Sequence, residues 1–139
     1  MSFNFKVTMG VLVAAAALTG GASTLQASDT CSNVHFSVTN QRSATIKLLR
    51  VIFKNSDSGK TRTENLSNLE CAAGRTCTTS GDNLTDAEGR NLSSAQFVFR
   101  HREGDGDWSD EVTSANFAIP AAQQRCSAGK TYGPFTITR

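Results

Sequence analysis

The chain has 139 residues, with 14 Lys/Arg against 12 Asp/Glu and a formal net charge of +2. That length holds one ordinary domain. The small charge excess supplies no electrostatic footprint for nucleic acid, whose binding needs enough basic groups to displace condensed counterions.

Residues 1–27 read as a cleavable export signal. Lys6 is the only charged side chain before the apolar run Val7–Leu18, and small residues from Thr19 to Ala27 follow. A basic start, a short apolar stretch and a small-residue exit are the three parts of a secretory signal peptide. The run falls short of the roughly 20 residues that a membrane-spanning helix needs. Cleavage is expected after Ala27, with Ala22 as the second choice. The domain to be explained is therefore 28–139, which carries 13 of the bases and all 12 acids, a formal charge of +1. The expected location is periplasmic or extracellular, and the Ala/Gly-rich leader is of bacterial style.

All four cysteines lie beyond the leader, at Cys31, Cys71, Cys77 and Cys126. An even count in an exported chain implies disulfides. The favoured pairing is Cys71 with Cys77, closing a short turn, and Cys31 with Cys126, joining the two ends of the domain. On the chain-entropy model the long bridge stabilises by about 4.7 kcal/mol and the short one by roughly 2.4. Zinc is disfavoured, because a C-x5-C spacing with no nearby C-x2-C or His pair is poor for a tetrahedral site.

Along the domain, apolar residues alternate. Val34, Phe36 and Val38 share one parity, as a half-buried strand requires. In Ala44–Lys54, Ile46 and Leu48 sit on one parity and Leu49, Val51 and Phe53 on the other. Either a bulge near Leu48-Leu49 flips the faces or both faces are buried. Lys47, Arg50 and Lys54 recur at helical spacing, but the β-branched and aromatic content favours a strand. Asn55–Gly59 is a turn, and Lys60–Asn65 a returning polar strand. Residues 66–93, rich in Ser, Thr, Asn, Asp and Gly, are expected to be the least ordered after the leader. Gln96–Arg102 alternates again. Glu103-Gly-Asp-Gly-Asp107 is the strongest hairpin signal, with Trp108–Thr113 as the partner strand. Phe117 and Ile119 mark another strand, and Phe135 and Ile137 the last, with Pro134 at an edge or a strand start. The expected fold is all-β: an antiparallel sandwich of about seven short strands, of immunoglobulin-like size.

No catalytic constellation emerges. His35 and His101 are the only histidines, each on an expected strand, and the glycine-flanked nucleophile elbow G-x-S-x-G is missing. Ser58-Gly59-Lys60-Thr61 imitates the end of a phosphate-binding loop, but Lys54 stands where that motif needs its first glycine. Three Asn-Leu-Ser/Thr triplets, at Asn65, Asn83 and Asn91, would accept glycans in a eukaryotic secretory route and are turn residues otherwise.

The acids Glu103, Asp105, Asp107, Asp110 and Glu111 form a weak candidate calcium cluster, without the spacing of an EF-hand. The plainer reading is a solvated hairpin tip that keeps an edge soluble. Trp108, the single tryptophan, adjoins that tip, so Trp108, Asp105 and Asp107 are the candidate partner-binding residues. Six bases against two acids in 28–62, and four more acids than bases in 63–88, are expected to meet across the fold. The resulting expectation is an exported, non-catalytic binding or structural module that recognises a protein or surface ligand through its loops. It carries no catalytic residue and needs no cofactor. A membrane-active β-sandwich is the alternative, with membrane contact not favoured, and a small secreted hydrolase is third.

Overall fold

A computed structural model describes residues 31–81, 84 and 91–138. The leader 1–27, its two cleavage positions and Asn83 lie outside the described residues. Eight strands appear among those described: β1 His35–Asn40, β2 Ile46–Asn55, β3 Thr61–Cys71, β4 Thr76–Thr78, β5 Leu92–His101, β6 Val112–Thr113, β7 Phe117–Ala118 and β8 Thr131–Ile137. A 3-10 turn, Ala121–Gln123, precedes β8.

The strands form two sheets. One has the order β4-β1-β8; the other runs β3-β2-β5-β6, with β7 also paired to β5. The fold is thus all-β and sandwich-like. One pair departs from the antiparallel expectation: β1 and β8 run parallel, from His35↔Thr131 to Asn40↔Ile137. A parallel pair needs a long crossover rather than a hairpin, and the whole five-stranded sheet supplies it.

Aromatic rings join the sheets. Phe97 of β5 lies 6.0 Å from Phe36 of β1 and 5.3 Å from Phe135 of β8, centroid to centroid. Phe36 also stacks on Tyr132 at 5.9 Å. Ile46, Leu48, Val51, Phe53 and Phe99 complete the fully buried middle. Cys31 bonds to Cys126 and Cys71 to Cys77, the pairing favoured from their spacing. Both bridges fit an oxidising compartment outside the reducing cytosol. No helix among the described residues is long and apolar enough to cross a membrane.

The parity change in β2 is a bulge. Leu48 pairs with Phe99 and Arg50 with Val98, so Leu49 is an extra residue against β5. It lets Ile46 and Leu48 face the core together with Val51, Phe53 and Asn55. Against β3 the slip runs the other way: Leu48 pairs with Leu69 but Arg50 with Asn65, leaving Leu66, Ser67 and Asn68 between. Asn68 sits at φ 50°, in the left-handed region that asparagine tolerates better than most residues.

Two further expectations need correction. The polar strand placed at Lys60–Asn65 continues to Cys71, and the described part of 66–93 contributes half of β3, all of β4 and the start of β5, while 82, 83 and 85–90 lie outside the described residues. Polar side chains hid this stretch because β3 is an edge strand. Arg62 and Glu64 stand opposite the buried Phe53 and Val51, and charges so placed discourage edge-to-edge association. Trp108–Thr113 is not a continuous partner strand. Trp108 makes one bridge to Arg102, and pairing resumes only at Val112 and Thr113.

Gly133 is fixed by close approach. It has φ 109°, and a Cβ there would meet the Ser37 carbonyl oxygen at 2.3 Å. No side chain fits between β8 and β1 at this point.

Candidate functional site

The two bulges lie at the same level of the sheet, and a groove of about 400 Å³ opens there on its outer face. Leu49 and Arg50 from β2, Asn65, Leu66 and Asn68 from β3, Arg100 from β5, and Trp108 line it with Lys47 and Glu111. Bulges re-aim side chains and cluster near functional sites. Here the extra residue sets Leu49 beside Arg50 on the outward side.

Arg50 and Arg100 converge on one carboxylate. Both terminal nitrogens of Arg50 donate to Glu111, one at 3.4 Å and the other in closer contact. Arg100 adds an ion pair at 3.7 Å. The hydrogen bond from Arg50 is the main reason the Glu111 carboxyl is held below its ordinary value, assisted by the charges of Arg50 and Arg100. Lys47 reaches Glu70 at 3.3 Å, so the basic and acidic stretches of the sequence do meet there.

Trp108 forms a half-buried wall. The Lys47 ammonium lies 4.4 Å and the Arg102 guanidinium 4.1 Å from its ring centroid. Such contacts contribute roughly 0.5–1 kcal/mol each at exposed sites. They also hold two long, otherwise mobile cations in fixed places.

Asp105 and Asp107 do not line the groove. They build the turn: Asp105 accepts the Asp107 amide at 3.1 Å, and the Asp107 carbonyl accepts the Glu103 amide at 2.9 Å. Gly106, at φ 89°, makes this reversal possible. Of the weak calcium candidate, Glu111 is engaged by Arg50 and Arg100. Among the described residues no three His, Cys, Asp or Glu side chains converge on a point suited to a metal ion.

The histidines occupy different sheets. His35 Nδ1 bonds to the Thr79 carbonyl at 2.9 Å. His101 Nδ1 lies 3.0 Å from the Ser109 hydroxyl, which resembles half of a catalytic pair. The hydroxyl also donates to the Asp110 carbonyl at 2.8 Å, and its role towards the imidazole depends on the His101 tautomer. Ser109 Oγ also accepts the His101 backbone N–H at 3.0 Å.

Ser114 repeats this arrangement without a histidine. Its Oγ accepts the Phe97 N–H and donates to the Ala115 carbonyl, both at 2.9 Å. Thr79 does the same for the Phe36 N–H at 2.9 Å. In all three cases the same residue's own amide donates to the carbonyl of its strand partner. These buried hydroxyls thus continue the strand ladders where no regular strand follows. The buried amides serve the chain too: Asn40 Nδ2 donates to Ala44 and Cys71 carbonyls, and Asn55 Oδ1 accepts from Asp57 and Ser58.

Sequence reasoning reached Trp108 and missed its surroundings. In the sequence Lys47, Arg50 and Lys54 stand out for helical spacing and as members of the basic stretch 28–62. On a strand interrupted by a bulge, that spacing places all three on one outer face. Another groove, about 510 Å³ between β7 and β8, has mixed walls, with Phe117, Ile119, Pro134 and Phe135 beside Asn116 and Gln123. Searches of family models, curated proteins and solved structures found no match to this chain.

Proposed function

We propose that the protein is an exported, non-catalytic recognition module whose contact surface is the groove on the outer face of the five-stranded sheet. The observation that carries this reading is the coincidence of the bulges in β2 and β3. Together they interrupt both ladders of β2 at one level, where Trp108, Arg50 and Arg100 line one groove; the other register shift of this sheet, at Lys54–Asn55, lies at the strand's end. Interfaces are enriched in Trp and Arg because both bind through large, preorganised surfaces. The reading is also supported by the buried hydroxyls of Thr79, Ser109 and Ser114, which are engaged by the chain's own backbone. The hydrolase alternative has the His101–Ser109 contact to offer, and that contact has a structural twin at Ser114.

The test is capture of ligands from the envelope and medium fractions of the source cells by the immobilised, oxidised protein. Trp108→Ala is expected to lose the captured ligand, and Asp105→Ala/Asp107→Ala to keep it. Equal capture by wild type and Trp108→Ala would overturn the assignment of this groove.

A further inference from the structure

The groove has a charge pattern that selects among ligands, and the inference drawn from it rests on the recognition reading above. We propose that this outer face binds a linear acidic polysaccharide, with a ligand carboxylate replacing Glu111 between Arg50 and Arg100.

The cations form a line, in which Lys47 is ion-paired to Glu70 as Arg50 is to Glu111. Lys47, Arg50 and Lys54 all point outward from β2, whose buried residues alternate with them. At about 3.3 Å per residue the line spans roughly 20 Å, the length of several sugar units. Across the sheet, Lys47 is flanked by Arg100 on β5, and Arg102 lies beyond it over Trp108. A second recess, about 330 Å³, lies at the Lys54 end of the line, with Thr61, Ser94, Gln96 and Asn116 in its wall. The ligand's path therefore runs from the Trp108 groove to the Lys54 recess, along β2.

Two features favour a sugar polymer over other polyanions. Beside the cations and the intervening Ile52, the neighbouring strands set Asn65 and Thr63, with Asn68 in the groove wall and Gln96, whose Nε2 donates to the Ser114 carbonyl; these amides and hydroxyls match the hydroxyls of a glycan. Single-stranded nucleic acid instead relies on aromatic platforms for successive bases. The aromatic wall of this groove is Trp108 alone, with two cations already over its ring. Glu111 occupies the arginine pair as an internal carboxylate, on β6's exposed approach, where an incoming carboxylate exchanges one ion pair for another. Such exchange carries little desolvation cost, because the pair is already partly exposed, at 35% and 38%.

The experiment uses the full chain, recovered with both disulfides formed, titrated with polygalacturonate while Trp108 emission is recorded. Neutral dextran and single-stranded DNA of matched charge are the comparison probes. Polygalacturonate is expected to bind, with affinity falling as salt rises, and dextran not to bind. Arg50→Gln/Arg100→Gln should weaken binding by about tenfold or more, and Glu111→Gln should strengthen it by about threefold, since the internal competitor is gone. Unchanged melting temperatures would show that both variants are folded. Dextran binding equally well, DNA binding equally well, or a Glu111→Gln variant that binds no more tightly would each overturn the proposal. Failure here is separable from failure of the recognition reading. If polygalacturonate does not bind but Trp108→Ala still loses ligand captured from the source cells, only the ligand class falls; if that capture is also unaffected, both fall.

Discussion

The two faces of the five-stranded sheet are made by the same strands and obey opposite rules. Inward, β2 and β5 present Ile46, Leu48, Val51, Phe53, Phe97 and Phe99, all buried, and polar groups at the core's margins are consumed by the ladders. Outward, the same two strands present Lys47, Arg50, Lys54 and Arg100, together with a groove that the core does not require. The bulge at Leu49 serves both faces: it keeps the core parity intact and sets two side chains next to each other outside. The difference teaches that the core and the proposed recognition surface are separable in this molecule by face rather than by region.

The largest separation is expected at Phe97. Phe97→Ala should cost about 3–5 kcal/mol in denaturant unfolding, because the ring touches Phe36, Phe117 and Phe135. Arg100→Gln, three residues along on the opposite face, should stay within about 0.5 kcal/mol. Comparable losses at both positions would erase the distinction.

The disulfides come next. Opening Cys31–Cys126 by double Ser replacement should destabilise more than opening Cys71–Cys77, in the ratio of about 4.7 to 2.4 kcal/mol that their sequence separations of 95 and 6 imply. A reversed order in paired unfolding curves would show that the closed loop is not what the long bridge contributes.

Ser114→Ala should cost about 1–3 kcal/mol, since it leaves the buried Phe97 amide without its side-chain acceptor. Ser109→Ala should cost a similar amount, with no change in any hydrolytic background. If Ser109 alone were sensitive in an activity assay, the structural equivalence of the two serines would fail.

The smallest effect is a dependence on alkaline pH. Burial pushes the Tyr132 hydroxyl up to about 12, while it donates to the Gln124 carbonyl at 3.2 Å. The folded state therefore holds this proton more tightly than the unfolded chain, whose tyrosine titrates near 10. Stability from this group is complete below pH about 10 and is lost as pH rises towards about 12. Tyr132→Phe should flatten that decline, as followed by unfolding across the alkaline range.

Much of the fold was legible because alternation survives wherever one face is buried. Val34–Val38 and Gln96–Arg102 show it directly, and the mixed parity of 46–53 carried the bulge itself. The edge strands were not legible. β3 alternates polar with polar, and its inward charges Arg62 and Glu64 disguise the buried parity. The parallel β1–β8 pairing had no local signal, because it joins segments about 95 residues apart. Of the site, Trp108 stood out as the only tryptophan, and its acidic neighbours drew attention to the wrong side of it. Arg50, Arg100 and Glu111 are scattered over 61 positions and meet only through strand pairing and the turn of the hairpin.

The most direct test sets one outer-face variant against one ladder variant, measuring melting temperature and capture of the source-cell ligand on each. Arg50→Gln/Arg100→Gln should keep the wild-type melting temperature and lose capture by about tenfold. Ser114→Ala should melt lower and, below its transition, capture normally. Undiminished capture by a well-folded Arg50→Gln/Arg100→Gln protein would contradict the assignment of recognition to the outer face.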